Sequence, residues 1–382
     1  MSCPVCESTV TVEFLTRTQI PVHQNLIMKT VEAARAIRRG TLEMAVCETC
    51  GFAFNRAFDA TLLEYGNAYD NTQDHSPSFK SYTDGLVERL VGLGVRDARV
   101  VEVGCGKGQF IHRLVESAPN TVGWGFDPSY VGPDELLGGR LTFRREFYGP
   151  GCEALLADVV VCRHVIEHVA NPLVLLEAVR AALALSPDAR VFFETPSLDW
   201  ILENVVVWDL FYEHCSLFTP SSLRTAFMRA GFEVREIATT FGGQYLWAEA
   251  RVTARPQTPE LRPGETPALA RRFAREEARL VGQLEHSLSG APRTAIWGAG
   301  AKGVTFANLA DPTCTSIDCI VDLNPHKQGH FLPGTGHAIV APEALKEREV
   351  KRAILMNPNY RDENQRLLTE LELDIALDDP FS

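Results

Sequence analysis

The stretch Glu102-Val103-Gly104-Cys105-Gly106-Lys107-Gly108 constrains the fold more than any other part of the chain. It closes an apolar run over 98–103 that reads as a strand, and it opens a helical run over 109–116. A second strand is expected over 122–126 and ends at Asp127. A strand that turns into a helix through glycines lets the backbone approach a ligand at the carboxyl end of a parallel sheet. An acid at the end of the next strand, about twenty residues on, accepts hydrogen bonds from ribose hydroxyls.

The pattern continues on both sides with alternating helical and strand periods, which predicts an α/β domain with a mainly parallel sheet. A helix is expected over 81–92 and a strand over 158–162 that runs into Arg163-His164-Val165-Ile166-Glu167-His168. Ala170-Asn171-Pro172 then opens an amphipathic helix, and a strand over 190–194 ends in Thr195-Pro196-Ser197. The glycine spacing is Gly-x-Gly-x-Gly, with Glu102 two residues ahead of the first glycine. A dinucleotide needs its pyrophosphate on a helix N-terminus. S-adenosylmethionine carries an amino-acid moiety and a sulfonium instead, and the spacing favours it as cofactor.

Four of the ten cysteines form two knuckles, Cys3-Pro-Val-Cys6 and Cys47-Glu-Thr-Cys50, with Gly51 directly after the second. Two residues between thiolates let one tight turn aim both sulfurs at a tetrahedral ion, and a second knuckle closes the shell, so a structural zinc site is expected. The competing readings are unrelated reduced pairs or a redox Cys-x-x-Cys, which would need only one knuckle.

A proline-rich break, Arg255-Pro256-Gln257-Thr258-Pro259, precedes a charged helix over about 266–288. A new sheet is expected to start with a strand over 294–297 entering Gly298-Ala299-Gly300-Ala301-Lys302-Gly303, and a strand over 317–321 ends at Asp322. This is a dinucleotide-type fingerprint, yet the chain left after Gly303 suffices for a half-sized Rossmann-like unit and not for a dehydrogenase. A nucleotide or phosphate on that helix and a purely structural turn both remain open. The expected organisation is a zinc-binding module at 1–66, a Rossmann-like core at 67–255, a helical linker at 256–290 and a smaller C-terminal Rossmann-like α/β domain at 291–382.

Composition narrows the partners. Of the 382 residues, 37 are Lys or Arg against 49 Asp or Glu, a formal net charge of −12. An acidic surface argues against nonspecific binding to nucleic acid or anionic membranes, which need a positive face. No apolar stretch of the ~18 residues needed for a membrane span occurs. Met-Ser-Cys-Pro-Val-Cys has neither the basic nor the apolar region of a secretory signal, so a cytoplasmic protein with reduced thiols is expected.

Two zinc knuckles, a core with this glycine loop, and a C-terminal unit with Asp322-Leu323-Asn324-Pro325-His326-Lys327-Gln328-Gly329 and Pro333-Gly334-Thr335-Gly336 together resemble the three-domain, zinc-containing sugar C-methyltransferases of deoxysugar antibiotic pathways. The core, about residues 79–250, is similar to class I S-adenosylmethionine-dependent methyltransferases. The resemblance implies a cofactor held by Glu102, Gly104, Gly106, Gly108 and Asp127, with Arg163 and His164 beside it. It also implies a structural zinc and a small-molecule acceptor, a nucleotide-linked 4-keto sugar held partly by the C-terminal domain.

In that family a run Tyr-His-Glu-His-x-Ser supplies the base that removes a proton next to the ketone. Here it reads Phe211-Tyr212-Glu213-His214-Cys215-Ser216, which keeps only the Glu-His pair and the serine. A carbon is not nucleophilic until an enolate forms, and a neutral imidazole suits that proton transfer. His214 is therefore the expected base, with Glu213 orienting it or taking the proton and Tyr212 donating to the enolate oxygen. His168, at the start of a helix, reads as a packing or capping residue. A second departure is Phe241-Gly242-Gly243-Gln244-Tyr245-Leu246, where the sugar enzymes have His-Gly-Gly-Ser-Leu-Arg; it weakens the inference to the same sugar. The polar segment Asn71-Thr72-Gln73-Asp74-His75-Ser76-Pro77-Ser78 is a candidate lid, with His75 a loop residue. The alternatives are O- or N-methylation of a natural-product intermediate, where the acceptor already has a lone pair, and a non-catalytic nucleotide- or partner-binding module.

Overall fold

The computed structural model describes residues 1–63, 69–255, 257–291 and 293–379. The expected boundary at 66/67 lies outside the described residues. Strands β1 (Thr11–Pro21) and β2 (Arg39–Cys47) pair antiparallel, and β3 (Ala53–Asn55) joins β2. The strands that follow are β4 (Arg99–Val103), β5 (Val122–Phe126), β6 (Glu135–Leu136), β7 (Leu141–Arg144), β8 (Val159–Arg163), β9 (Arg190–Pro196), β10 (Ser216–Leu217), β11 (Phe232–Thr240) and β12 (Tyr245–Val252). All but β10 form one sheet in the order β11-β12-β9-β8-β4-β5-β7-β6. Its middle is parallel, with β12 and β11 added antiparallel at one edge. The central strand β8 is buried from Val159 to Cys162, the continuous apolar run of a strand covered on both faces.

Strand β10 leaves this sheet. It pairs antiparallel with β3, Ser216 opposite Phe54 and Leu217 opposite Ala53, so the chain just after His214 becomes part of the N-terminal sheet. At the other end of the chain β13 (Thr294–Trp297), β14 (Ile317–Val321), β15 (Ile339–Val340), β16 (Arg352–Leu355) and β17 (Ala376–Asp378) form a wholly parallel sheet in the order β15-β14-β13-β16-β17.

Most expected elements lie where the periodicity places them. The helix expected from 81 starts earlier and spans Pro77–Gly92, because Ser76 accepts the Phe79 N–H as N-cap and Pro77 fits the first turn. The charged helix Thr266–Leu288 packs on the N-terminal sheet. Its Phe273 meets Phe14 of β1 edge-on at 5.9 Å, and Glu277 pairs with Arg17 at 2.8 Å. One apolar cluster joins the N-terminal sheet to the C-terminal sheet, from Phe14 and Met44 through Leu198 and Trp208 to Phe306 and Ile320. No helix among the described residues is long and apolar enough to cross a membrane.

Candidate active site

A cavity of about 1130 Å³ opens between the central and C-terminal sheets, and the carboxyl ends of β4 and β13 both face it. On the β4 side, Gly104, Gly106 and Gly108 have φ of 67°, 53° and 75°. A Cβ on Gly104 would lie 2.3 Å from Val165, and one on Gly108 would lie 2.3 Å from Phe143. At Gly106 a side chain would meet only open space, so the turn presents bare backbone to the cavity. Asp127 shapes this turn, since its Oδ2 accepts the Gly106 N–H at 2.8 Å and its Oδ1 the Ser129 N–H at 2.7 Å. Glu102 is buried beneath it and accepts the Ile111 N–H at 3.2 Å. Burial raises its carboxyl to about 8, with the Arg163 charge working the other way. This cradle of glycine backbone without side chains, one buried acid and one half-buried acid fits an adenosyl amino acid, and the residues expected from the motif are the ones gathered.

Arg163 and His164 also reach the cavity wall. Arg163 lies over the Phe110 ring at 4.4 Å and donates to Glu194 Oε2 at 2.7 Å, while its Nη2 is buried without a partner. His164 sits at φ 54°, between Glu167 Oε1 and Glu194 Oε2, each 3.3 Å away. Burial opposes its charge, but the hydrogen bonds to Glu167 and Glu194 outweigh burial and raise it to about 9.

The run from Phe211 to His214 splits in two directions. Phe211, Glu213 and His214 line the cavity. Tyr212 does not: its ring is fully buried against Phe58, and its hydroxyl accepts the Asp59 N–H at 2.8 Å, so the structure does not bring it to the expected enolate position. Nor does Glu213 hydrogen-bond His214. Its oxygens are taken by the Gln24 N–H at 2.9 Å and His23 Nδ1 at 3.3 Å, both from the chain between β1 and β2.

The neighbour of His214 is His168, whose ring stands 4.9 Å away and nearly perpendicular. Sequence reading missed this pairing because the two lie on separate loops, and no local signal links them. Burial, with His168, His164 and Lys302 adding to it, holds His214 well below its ordinary value, so the imidazole is neutral near pH 7, and its Nδ1 has no hydrogen-bond partner. Glu167, His168 and His214 place ligand-type atoms within 4.8 Å of one another. Glu167 spends its oxygens on His164 and Thr195, and the cationic His164 sits beside it, so the trio suits proton handling better than a metal ion.

The far wall belongs to the C-terminal sheet. Asp322 is committed to the turn there, accepting from Ala299 N–H at 2.7 Å and Asn324 N–H at 2.8 Å. Lys302 is answered by Asp209 at 2.8 Å and donates to Gln244 Oε1 at 3.1 Å, and the Gln244 and Asn357 amides exchange hydrogen bonds of 2.8 and 3.0 Å. Lys327 is 6% exposed and donates only to neutral oxygens, Asn25 Oδ1 and Ala299 O. Asn324, 1% exposed, leaves Nδ2 unpartnered.

Away from the cavity, Cys3, Cys6, Cys47 and Cys50 are buried together, with Sγ separations of 3.7 Å for Cys3–Cys50 and 3.5 Å for Cys6–Cys47. A tetrahedron of sulfurs with the usual zinc bond length has edges of about 3.8 Å. The contact with Cys47, reinforced by burial, pushes the Cys3 thiol up to about 12, a cost that a bound cation would remove.

Residues 78–237 match the family model described as a methyltransferase domain, and residues 266–372 match one described as a C-methyltransferase C-terminal domain. No curated protein matches the chain. Among solved structures, N,N-8-amino-8-demethyl-D-riboflavin dimethyltransferase from Streptomyces davawensis is 21% identical over 46% of this chain and 54% of its own, with a TM-score of 0.35. The chain thus spans about half of that protein's length. The 1,6-didemethyltoxoflavin-N1-methyltransferase of Burkholderia thailandensis, solved with S-adenosylhomocysteine, is 18% identical over 47% of this chain and 79% of its own, with a TM-score of 0.35. Magnesium protoporphyrin IX methyltransferase from Synechocystis PCC 6803 is 17% identical over 46% and 84%, with a TM-score of 0.34. With the two family models placed on the two sheets that wall the cavity, the chain carries a methyltransferase domain joined to a C-methyltransferase C-terminal domain.

Proposed function

We propose that the enzyme methylates carbon, with His214 as the base that takes a proton from a carbon next to a carbonyl. The observation that carries this reading is the state of His214: neutral, half-buried, its Nδ1 without a partner, on the wall of the cavity shared by the cofactor turn and the C-terminal turn. When bound, S-adenosylmethionine supplies an electrophilic methyl group, and Glu102, Gly104, Gly106, Gly108 and Asp127 are the residues to hold it. His214 then accepts the proton as the acceptor becomes an enolate, and the enolate carbon takes the methyl while S-adenosylhomocysteine leaves. His168 and Glu167 stand next to His214 to carry the proton away from it.

The acceptor we propose is small and phosphorylated, a nucleotide-linked keto sugar being the leading class. Lys327, which among the described residues donates only to the neutral oxygens of Asn25 and Ala299, the unpartnered Asn324 amide and the uncapped start of the helix Ala301–Ala310 support an anionic group on the C-terminal wall. The enolate oxygen needs a donor other than Tyr212. We also assign one structural zinc to Cys3, Cys6, Cys47 and Cys50, and a zinc held by four reduced cysteines supports a reducing, cytoplasmic setting.

The test is solvent-deuterium exchange at the acceptor carbon in thymidine-diphosphate keto sugars, with the cofactor replaced by S-adenosylhomocysteine. Exchange that His214→Ala reduces by about 10²–10⁴ is the expected result. Methylation without any exchange would turn the reading to O- or N-transfer.

A further inference from the structure

The segment between Tyr69 and Ser78 touches every part of the molecule that meets at the cavity. At its start, Tyr69 bridges to Leu26 and the Asp70 N–H donates to Asn25 O at 2.8 Å, tying it to the chain after β1. Two ion pairs then bind it to the cofactor side. Asp70 meets Lys107, inside the glycine turn, at 2.9 Å, and Asp74 meets Arg113, on the helix after that turn, at 2.9 Å. Its other side is held by the C-terminal unit. Tyr360 Oη donates to Gln73 Oε1 at 3.1 Å, and Glu363 Oε2 accepts both the Ser76 hydroxyl and the Ser78 N–H at 2.8 Å.

Glu363 is 6% exposed, and its carboxylate sits at the first turn of the helix Pro77–Gly92, where free N–H groups and the helix dipole favour a negative charge. Because the lining of the cavity over the glycine turn includes Asn71, Gln73 and His75, a cofactor lying on Gly104–Gly108 lies under this strap.

We propose that Glu363 is a positioning residue: a carboxylate from the C-terminal unit that latches the 69–78 strap shut over the cofactor and so sets how long the cofactor stays bound. The proposal rests on the cofactor lying on the Gly104–Gly108 turn. It gives the C-terminal unit a role in cofactor retention as well as in acceptor binding. Ser76 is the partner through which Glu363 acts, and Gln73 is an independent, weaker tie.

The experiment follows release of radiolabelled S-adenosylhomocysteine from the full-length protein after a chase with unlabelled compound, beside hydrogen exchange of residues 69–79. Ser76→Ala is expected to speed release by about ten-fold, the effect of one lost charge-assisted hydrogen bond, and Glu363→Ala, which also loses the Ser78 N–H, by at least as much. The double variant is expected to be no faster than the more severe single one, Glu363→Gln to recover part of the retention, and the strap amides to lose protection. Gln73→Ala, which leaves the latch in place, is expected to give a smaller acceleration. Unchanged release in folded Glu363→Ala and Ser76→Ala, or additive effects in the double variant, would overturn the latch. Wild-type protein that fails to bind S-adenosylhomocysteine would overturn the cofactor placement, and the latch with it.

Discussion

Glu102 and His214 owe their shifts to burial, and each has a sign that can be worked out. The Glu102 carboxyl, raised to about 8, is mostly protonated in the cofactor-free protein near pH 7, while in the unfolded chain it is ionised above its ordinary value of 4.5. The folded state therefore holds the extra proton, and its contribution to stability falls as pH rises from about 4.5 to about 8. A cationic amino group arriving beside it favours the carboxylate, so S-adenosylhomocysteine binding at pH 7 is expected to release a proton. Calorimetry in two buffers of different ionisation enthalpy measures this, and Glu102→Gln abolishes the release. His214 carries the opposite sign. Its folded value lies well below 6.5, so the unfolded chain takes up the proton first as pH falls, and stability is lost below pH 6.5. The acid limb of activity is expected below pH 6.5, where an unperturbed imidazole would already have lost half its capacity as a base.

Elements whose identity depends on neighbours in sequence were legible; contacts made across sheets were not. The turn at 102–108 announces itself because φ near 75° at Gly108 and the close approach of Phe143 admit only glycine. Gly108→Ala is accordingly expected to cost about 1–3 kcal/mol of stability, measured by urea unfolding, and to weaken cofactor binding more than Gly106→Ala does. In contrast, Tyr212 lies within a catalytic-looking run, yet the turn at Tyr212–Glu213, closed by the His214 N–H on Phe211 O at 3.2 Å, leaves Phe211 and Glu213 on the cavity wall and aims the Tyr212 ring toward Asp59. Residue type and spacing assigned the run to chemistry; only that turn decides which side chains face it. The same holds for the meeting of His168 with His214 and for the Glu363 latch, whose partners lie 46 and 287 residues apart. Such contacts leave no periodic trace in either segment.

At the scale of the whole molecule, the four-cysteine cluster is linked to the proposed base by a short path. Cys47 ends β2, β2 pairs with β3, β3 pairs with β10, and β10 begins two residues after His214. If zinc holds Cys3, Cys6, Cys47 and Cys50, its removal by a chelator is expected to abolish proton exchange at the acceptor while S-adenosylhomocysteine still binds, because the glycine turn lies on the separate central sheet. Metal analysis of the pure protein is expected to give about one ion per chain for a single four-thiolate site. The strand swap that makes this path has a consequence for inheritance as well. The proposed base, followed by residues that are hydrogen-bonded into the N-terminal sheet, cannot be exchanged along with the central sheet alone. Hybrids that part residues 1–63 from residues 211–217 are therefore expected to lose activity, whereas substitutions made in place on the cavity wall, at positions such as Phe211 and Gln244, leave the strand pairing intact.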